Sequence, residues 1–133
     1  MLVAGLAGGA VAAVGAKGGV GEHVEQPRTA ADLKDEYRLG AGHLELDLSD
    51  LELPVGETRV EADLGFGELD IVLPAGVAVD VTSKVEWGDA RVLGREEDGR
   101  DMHARVVDPG FDGAERRLVV DARVHGGELS VRR

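Results

Sequence analysis

The sequence predicts an all-β domain, a β-solenoid of short stacked strands, and three observations support this prediction. Apolar and polar residues alternate with period two from Tyr37 onward, as half-buried strands require. Four segments of that region repeat one pattern around a central glycine. A Leu-Pro-x-Gly corner also recurs, at residues 53–56 and 73–76. Helix-period patterning is absent after Tyr37, so the region contains no predicted helix.

The four repeats share the pattern aliphatic, two variable residues, Gly, polar, apolar, polar, aliphatic. They cover residues 39–46, 64–71, 85–92 and 124–131. Their marker glycines are Gly42, Gly67, Gly88 and Gly127, at steps of 25, 21 and 39 residues. Steps of this size are typical of repeat arrays in which each unit buries its apolar face against the next.

We expect each strand to bend at its marker glycine. The inward residues upstream of the glycines are Val60, Ala62, Leu64 and Phe66 in the second repeat and Val81, Val85 and Trp87 in the third. Downstream of Gly67 the inward set restarts at Leu69, so the alternation slips by one residue. Such a slip turns later side chains to the wrong face unless the chain bends or bulges, which glycine tolerates.

The Leu-Pro-x-Gly corners end the strands. Proline cannot donate to a strand ladder, and the glycine supplies turn geometry, so Pro54 and Pro74 are predicted structural corners. Strand, glycine corner, strand and Pro-Gly corner together make one rung of a solenoid. A twisted antiparallel β-sandwich is the alternative fold.

The N-terminal residues differ in composition from the repeats. Residues 1–16 carry no charged side chain, and a helix of that length spans about 24 Å against roughly 30 Å of hydrocarbon. We predict an apolar, truncated transmembrane helix with a glycine-rich exit over residues 1–21, then a polar linker over 22–36. A degenerate export signal and a flexible Gly/Ala tail are the alternatives.

Residues 94–117 interrupt the rhythm of the predicted domain, which covers 37–133. Twelve of these 24 residues are charged, so we expect a solvated insertion with a long hairpin around Met102 to Val107. Irregular insertions on regular scaffolds are frequent binding sites. A variable loop without function is the simpler interpretation.

Composition excludes several classes of function. The formal net charge is −11, which disfavours nucleic acid and anionic lipid surfaces as partners. The chain has no cysteine, so disulfides and thiolate metal sites are excluded. His43 and His125 fall on outward positions, and no histidine has metal-ligand spacing to another. Nucleophile-elbow and P-loop motifs are missing, so we predict no enzyme, no catalytic residue, no metal and no cofactor.

The predicted partner-binding residues are outward carboxylates of the first two repeats. Glu45, Asp47, Glu68 and Asp70 are assigned to equivalent repeat positions. If the rungs stack, these four side chains form an acidic stripe. The stripe is either a docking surface for a basic partner or an ordinary solvated face.

The segment Tyr37 to Leu51, followed by Gly65-Phe-Gly-Glu-Leu-Asp-Ile-Val-Leu-Pro-Ala-Gly76, resembles the C-terminal domain of bacterial PspC-type and LiaF-like membrane proteins. That domain is called the toastrack for its stacked strands, and the resemblance covers roughly Pro27 to Arg133. It implies a β-solenoid fixed below transmembrane helices and a regulatory role in envelope-stress signalling. The family offers no catalytic residues, and we expect this chain to depart from it by lacking the N-terminal PspC module.

Two functions follow as expectations. The first is a non-enzymatic, membrane-tethered regulatory domain that binds a membrane sensor kinase or another envelope-stress protein. Residues 1–16 would then place it at the cell membrane. The second is a structural scaffold or adhesin-type module whose solenoid associates with further copies of itself.

Overall fold

The structure of the chain is a computed structural model that describes residues 20–133. Six strands form one mixed sheet in the spatial order β1-β2-β3-β6-β4-β5. Their bounds are β1 Val20–Glu25, β2 Glu36–Asp47, β3 Gly56–Val72, β4 Ala78–Val92, β5 Arg95–Val107 and β6 Arg116–Arg132. A single 3₁₀ turn, Phe111–Gly113, is the one helical element of residues 20–133. The predicted all-β class with solenoid-like stacking of strands is confirmed.

The strands stack with their marker glycines in register. Parallel pairing joins β1 to β2, β2 to β3, β3 to β6 and β6 to β4, and β5 closes the sheet antiparallel to β4. One glycine of every strand lies in the same row, which in spatial order is Gly21, Gly42, Gly67, Gly127, Gly88 and Gly99. All six have φ between 123° and 136°. The predicted four-glycine column is therefore part of a row of six.

The glycine row divides each long strand into two arms that bury the same core. On β3 the buried side chains are Val60, Ala62 and Leu64 before Gly67, and Leu69 and Ile71 after it. Both sets belong to one hydrophobic cluster. Since the buried parity changes at the glycine, the sheet folds along this row and its two arms share an interior.

Phe66 and Trp87 do not belong to that interior, contrary to the prediction that both point inward. Each side chain is 50% exposed, whereas Leu64 and Val85, two residues earlier, are 0% exposed. The alternation of buried and exposed side chains ends at Leu64 and Val85, three residues before the marker glycine, because the chain turns from there onward. Phe66 and Trp87 consequently lie on the outer surface of the bend.

The Pro-Gly corners connect the arms of successive rungs. Pro54 and Pro74 lie between strands, and Gly56 and Gly76 beside them have φ of 115° and 74°. Buried leucines accompany both corners, at positions 51, 53 and 73. These leucines belong to the same hydrophobic cluster as the two arms, so the connections contribute to the core.

Two predicted boundaries differ from the structure. The polar linker predicted over 22–36 begins as strand β1, paired with residues 41–46 of β2. The charged segment 94–117 is not an excursion from the sheet, since residues 95–107 form its edge strand β5. The hairpin turns at Leu93 and Gly94, both with positive φ, rather than around 102–107.

Strand β5 is held to β4 by a paired carboxylate. Asp80 is 7% exposed and accepts hydrogen bonds from Arg105 Nε at 3.0 Å and Nη2 at 2.8 Å. The Arg105 guanidinium lowers the pKa of the Asp80 carboxyl, against the opposing effect of burial. This contribution to stability is present above the pKa of the unfolded chain and is lost as pH falls through the lowered pKa.

The predicted transmembrane helix over residues 1–21 lies almost entirely outside the described residues. Within residues 20–133 no helix is long and apolar enough to span a bilayer.

Candidate functional site

The outer surface of the first rungs carries the four predicted carboxylates, and the register separates them into three rows. Glu45 lies opposite Asp70, Glu68 lies opposite His43, and Asp47 lies opposite Val72. Only Glu45 and Asp70 therefore share an equivalent position. The prediction that all four carboxylates occupy equivalent positions is wrong, because the acidic residues of the second repeat lie two residues nearer the marker glycine than those of the first.

Asp47 stabilises the turn that follows β2. Its Oδ1 accepts hydrogen bonds from the Ser49 amide at 3.0 Å and the Ser49 hydroxyl at 2.6 Å, and its Oδ2 accepts one from Gln26 at 3.2 Å. These bonds, led by the Ser49 hydroxyl, lower the pKa of the Asp47 carboxyl. Its carboxylate thus makes local contacts that the other three predicted residues lack.

His43 connects two of the predicted carboxylates. Its Nε2 lies 2.7 Å from Asp70 Oδ2, and its Nδ1 lies 3.9 Å from Glu68 Oε1. The hydrogen bond to Asp70 raises the pKa of His43, partial burial opposes it, and the charges of Asp70, Glu68 and Glu22 add to the rise. His43 was predicted only to point outward, because its partner is 27 residues away in sequence.

This pair predicts that His43 titrates at a higher pH than an unperturbed histidine, because the hydrogen bond to Asp70 raises its pKa. In NMR spectra followed against pH, we expect the His43 ring to titrate above the value of about 6.5 found in model peptides. The stabilisation by the charged pair is complete below the pKa of the unfolded chain and is lost as pH rises through the raised folded pKa.

Asp70→Asn is the matched variant for that titration. It keeps the shape of the side chain and removes the charge that favours the imidazolium, so the His43 pKa should fall. A His43 pKa that Asp70→Asn leaves unchanged would show that the 2.7 Å contact does not control it.

One residue set within the described strands has the donor types of a cation site. His43, Glu45 and Asp70 each offer one ligand atom, and these atoms lie within 4.8 Å of one another. Imidazole and carboxylate together suit divalent transition metals. All three side chains are only partly buried, and the hydrogen bond between His43 and Asp70 already uses two of the donor atoms.

The glycine row is flanked on its outer surface by two contrasting rows, which we name together the outer ridge. The residues on one side of the glycines form a largely acidic row of Glu22, His43, Glu68, Glu128, Asp89 and Asp98 in spatial order. They directly follow the glycine on every strand except β5, which is antiparallel, so that Asp98 directly precedes Gly99. The residues on the other side of the glycines form a largely apolar row of Val20, Ala41, Phe66, Gly126, Trp87 and Arg100. The outer ridge therefore has an acidic side and an apolar side, and it extends from one sheet edge to the other.

Aromatic rings concentrate at the middle of the apolar row. The Phe66 and Trp87 ring centroids are 6.2 Å apart, and the Phe66 ring meets His125 edge-on at 5.1 Å. Trp87 covers Gly126, where an added Cβ would lie 2.5 Å from Trp87 Cζ2. His125 Nδ1 is also 2.8 Å from Glu86 Oε2. The exposed aromatic pair thus closes over the strand that separates β3 from β4.

The aromatic part of this surface was missed because the period-two pattern assigned Phe66 and Trp87 to the core. A usable signal was present in the repeat itself. The third and fourth repeats differ at the position before the glycine, where Trp87 aligns with Gly126. Equivalent core positions seldom hold tryptophan in one repeat and glycine in another, because the core is closely packed, whereas an exposed position tolerates this difference in size.

The chain is similar to proteins of one known family. The profile of the family described as "Cell wall-active antibiotics response LiaF, C-terminal" matches residues 28–131. Protein LiaF of Bacillus subtilis (strain 168) is 28% identical over 91 residues, which are 68% of this chain and 38% of that protein. This chain therefore spans less than half the length of that relative.

A solved structure is also similar. It belongs to a protein of Clostridium sporogenes with a proposed cell adhesion role, at 17% identity and a TM-score of 0.47. The match covers 73% of this chain and 54% of the other.

The family match covers well over half of the 133 residues and includes five of the six described strands. The resemblance to LiaF-like C-terminal domains, found in residues 37–51 and 65–76, is thereby confirmed. The chain belongs to the LiaF-like C-terminal domain family.

Proposed function

We propose that this chain is a non-enzymatic, membrane-tethered regulatory domain of cell-envelope stress sensing, and that it acts by binding a protein partner. Family membership carries the proposal, because the family is described by a response to cell-wall-active antibiotics. The partner we propose is a membrane sensor kinase or another envelope-stress protein.

Residues 1–16 support the tether. They contain no charged side chain, and the first cation is Lys17. Strand β1 begins only three residues later, at Val20. The connection between the apolar segment and the sheet is therefore short, and a membrane-embedded segment would hold the β1 edge close to the bilayer surface.

The outer surface supports a binding role. Glu45, Glu68 and Asp70 lie on neighbouring strands with their carboxylates accessible, and they are the core of the proposed contact region. Asp47 completes the set, with its turn contacts to Ser49 fixing its position. A rigid sheet holds these side chains at fixed spacing, which favours a specific contact over diffuse attraction.

The non-enzymatic part of the proposal rests on where the titratable groups lie. The histidine–carboxylate contacts of the described strands, His43 with Asp70 and His125 with Glu86, both lie outside the core with partly exposed side chains. Acid–base catalysis depends on a concave site that positions substrate and excludes water. The described interior is filled by aliphatic side chains.

The test is a promoter reporter for the response to cell-wall-active antibiotics in the native host. Removing residues 28–133 should change basal or induced output by about fivefold or more, the lower end of typical regulatory coupling. Full-length chain supplied from a second locus should restore the response. An unchanged reporter in cells shown to lack the domain would refute the regulatory role.

Self-association is the alternative function, and the β1 edge is the observation that favours it. This strand presents Val20 and Val24 at 81% and 67% exposure, and its outer backbone edge pairs with no other described strand. The opposite edge, β5, is rich in charge, which discourages edge pairing. Light scattering of the full chain at rising concentration separates the two functions, since the scaffold predicts assembly and the regulatory domain predicts a constant mass.

A further inference from the structure

We infer that the outer ridge is a docking site for a basic segment of a protein partner that also carries apolar side chains. The inference rests on the proposed binding function and deepens it, because the ridge extends the proposed contact region from Glu68, which both contain, across β6, β4 and β5 and indicates the chemistry of the partner. Two independent features of the ridge support it, one electrostatic and one apolar.

The electrostatic feature is an unbroken run of like charge across four adjacent strands. Glu68, Glu128, Asp89 and Asp98 are direct cross-strand neighbours on β3, β6, β4 and β5. Within the described strands, Glu68 is the only one of the four with a basic side chain inside 4 Å, at 3.9 Å from His43 Nδ1. Like charges directly opposite each other destabilise a sheet, so a row of cations from a partner would relieve repulsion that the free domain contains.

The apolar feature is the exposed aromatic pair beside this run. Phe66 and Glu68 flank Gly67, and Trp87 and Asp89 flank Gly88, so each ring lies next to a carboxylate on its own strand. The chain has four aromatic residues, and two of them, Tyr37 and Phe111, are buried. Exposing the remaining two aromatics at one place is unusual for a chain that is only 3% aromatic.

Together these features specify the partner. Arginine and lysine suit both rows, because each can pair with a carboxylate and also lie over an aromatic face. Tryptophan is also among the residues that most often dominate binding energy at interfaces. Apolar side chains of the same segment would cover Phe66 and Trp87. The run of like charge repels anionic lipid head groups, so the ridge fits a protein segment rather than the membrane surface.

The length of the ridge sets the length of the segment. Six strands at a spacing of about 4.8 Å make a row of roughly 24 Å. An extended peptide of about eight residues has the same length, at roughly 3.3 Å per residue. The matching probe is therefore an amidated octapeptide of alternating arginine and leucine.

Binding is measured on the full 133-residue chain through the fluorescence of Trp87, the sole tryptophan, which lies within the ridge. At physiological salt the Arg-Leu peptide should change the Trp87 emission in a saturable titration. A Glu-Leu peptide should cause no change, and a Lys-Ser peptide, which lacks apolar side chains, should bind about tenfold more weakly. Absence of any saturable change with the Arg-Leu peptide overturns the inference.

Matched variants separate the ridge from the overall charge of the protein. The ridge triple variant Glu68→Gln, Glu128→Gln, Asp89→Asn should weaken the Arg-Leu peptide by about tenfold or more. The control triple variant Glu52→Gln, Glu61→Gln, Glu115→Gln removes the same charge from exposed positions away from the ridge and should change affinity less than about twofold. Equal losses in the two variants would show attraction to net charge alone and overturn the inference.

Phe66→Ala tests the apolar row while keeping the Trp87 signal, and it should weaken binding about fivefold. Circular dichroism and thermal melting of every variant confirm that the fold is retained. If the ridge triple instead abolishes self-association and the peptide does not bind, the ridge belongs to a second copy of the chain and the inference fails.

The reporter assay distinguishes this inference from the proposed function. Cells carrying the ridge triple variant should show the same change in reporter output as cells lacking residues 28–133, and cells carrying the control triple variant should not. If removal of the domain alters the reporter but the ridge triple does not, the ridge inference fails and the function stands. If neither alters it, the proposed function fails, and the peptide titration still decides whether the ridge binds a basic segment.

Discussion

Replacing Gly67 with alanine is expected to destabilise the domain by more than about 4 kcal/mol, which is exceptional for a single substitution. Gly67 has φ of 131°, a backbone conformation that residues with a Cβ rarely adopt. A Cβ built there would lie 1.8 Å from the carbonyl oxygen of Gly42 on the neighbouring strand. Relief would require β2 and β3 to separate at the centre of their ladder.

Two costs add in this variant. Holding a non-glycine residue in such a region costs about 1–3 kcal/mol. Separating the strands loses ladder hydrogen bonds and opens the core between Leu64 and Leu69, both 0% exposed. Urea denaturation followed by circular dichroism measures the sum, and we expect the variant to be largely unfolded without denaturant or to have a strongly reduced midpoint.

Gly99→Ala is the matched control, because it isolates the backbone cost. Gly99 belongs to the same row and has φ of 129°, yet an added Cβ there has no atom within 4 Å. We therefore expect a loss of about 1–3 kcal/mol from strain alone. Equal losses at positions 67 and 99 would mean that the close approach of neighbouring backbones does not limit the stack.

The glycine row shows which part of the repeat could be predicted from the sequence and which part could not. Gly42, Gly67, Gly88 and Gly127 were recognisable because aliphatic residues flank them at fixed offsets. Gly21 and Gly99 were missed because their strands, at the two edges, cover less of the core and carry charged or polar residues at the equivalent positions. An edge strand contributes to the ladder without the apolar pattern that identifies an interior one.

The spatial order of the strands could not be predicted from the sequence repeat. Spacing along the chain indicates equivalent units, but β6 inserts between β3 and β4 and places Gly127 beside Gly67. A sequence signal did exist for the β4–β5 hairpin. Gly88 and Gly99 lie at equal distances from the Leu93–Gly94 turn and pair across it. The high charge of 94–117 concealed this symmetry, because an edge strand and a solvated loop have similar composition.

The candidate site was predictable in outline only. Alternation correctly placed Glu45, Glu68 and Asp70 on the outer surface, but it could not show that His43 joins two of them, since that contact depends on register between strands. The aromatic half of the ridge was lost for a different reason. The period-two alternation was assumed to continue up to the marker glycine, which assigned Phe66 and Trp87 to the core. In the structure the alternation of buried side chains ends at Leu64 and Val85.

Leu64→Ala and Phe66→Ala test that last distinction directly, since strict alternation treats the two positions alike. Leu64 is 0% exposed and lies in the shared core, so truncation should cost about 2–5 kcal/mol by removing apolar burial and leaving a cavity. Phe66 is 50% exposed on the outer ridge, so its truncation should cost less than about 1 kcal/mol, even though a larger side chain is removed. Urea denaturation of both variants measures the difference. A loss at Phe66 equal to that at Leu64 would place its ring in the interior, and the outer ridge would then have no aromatic pair for a partner to cover.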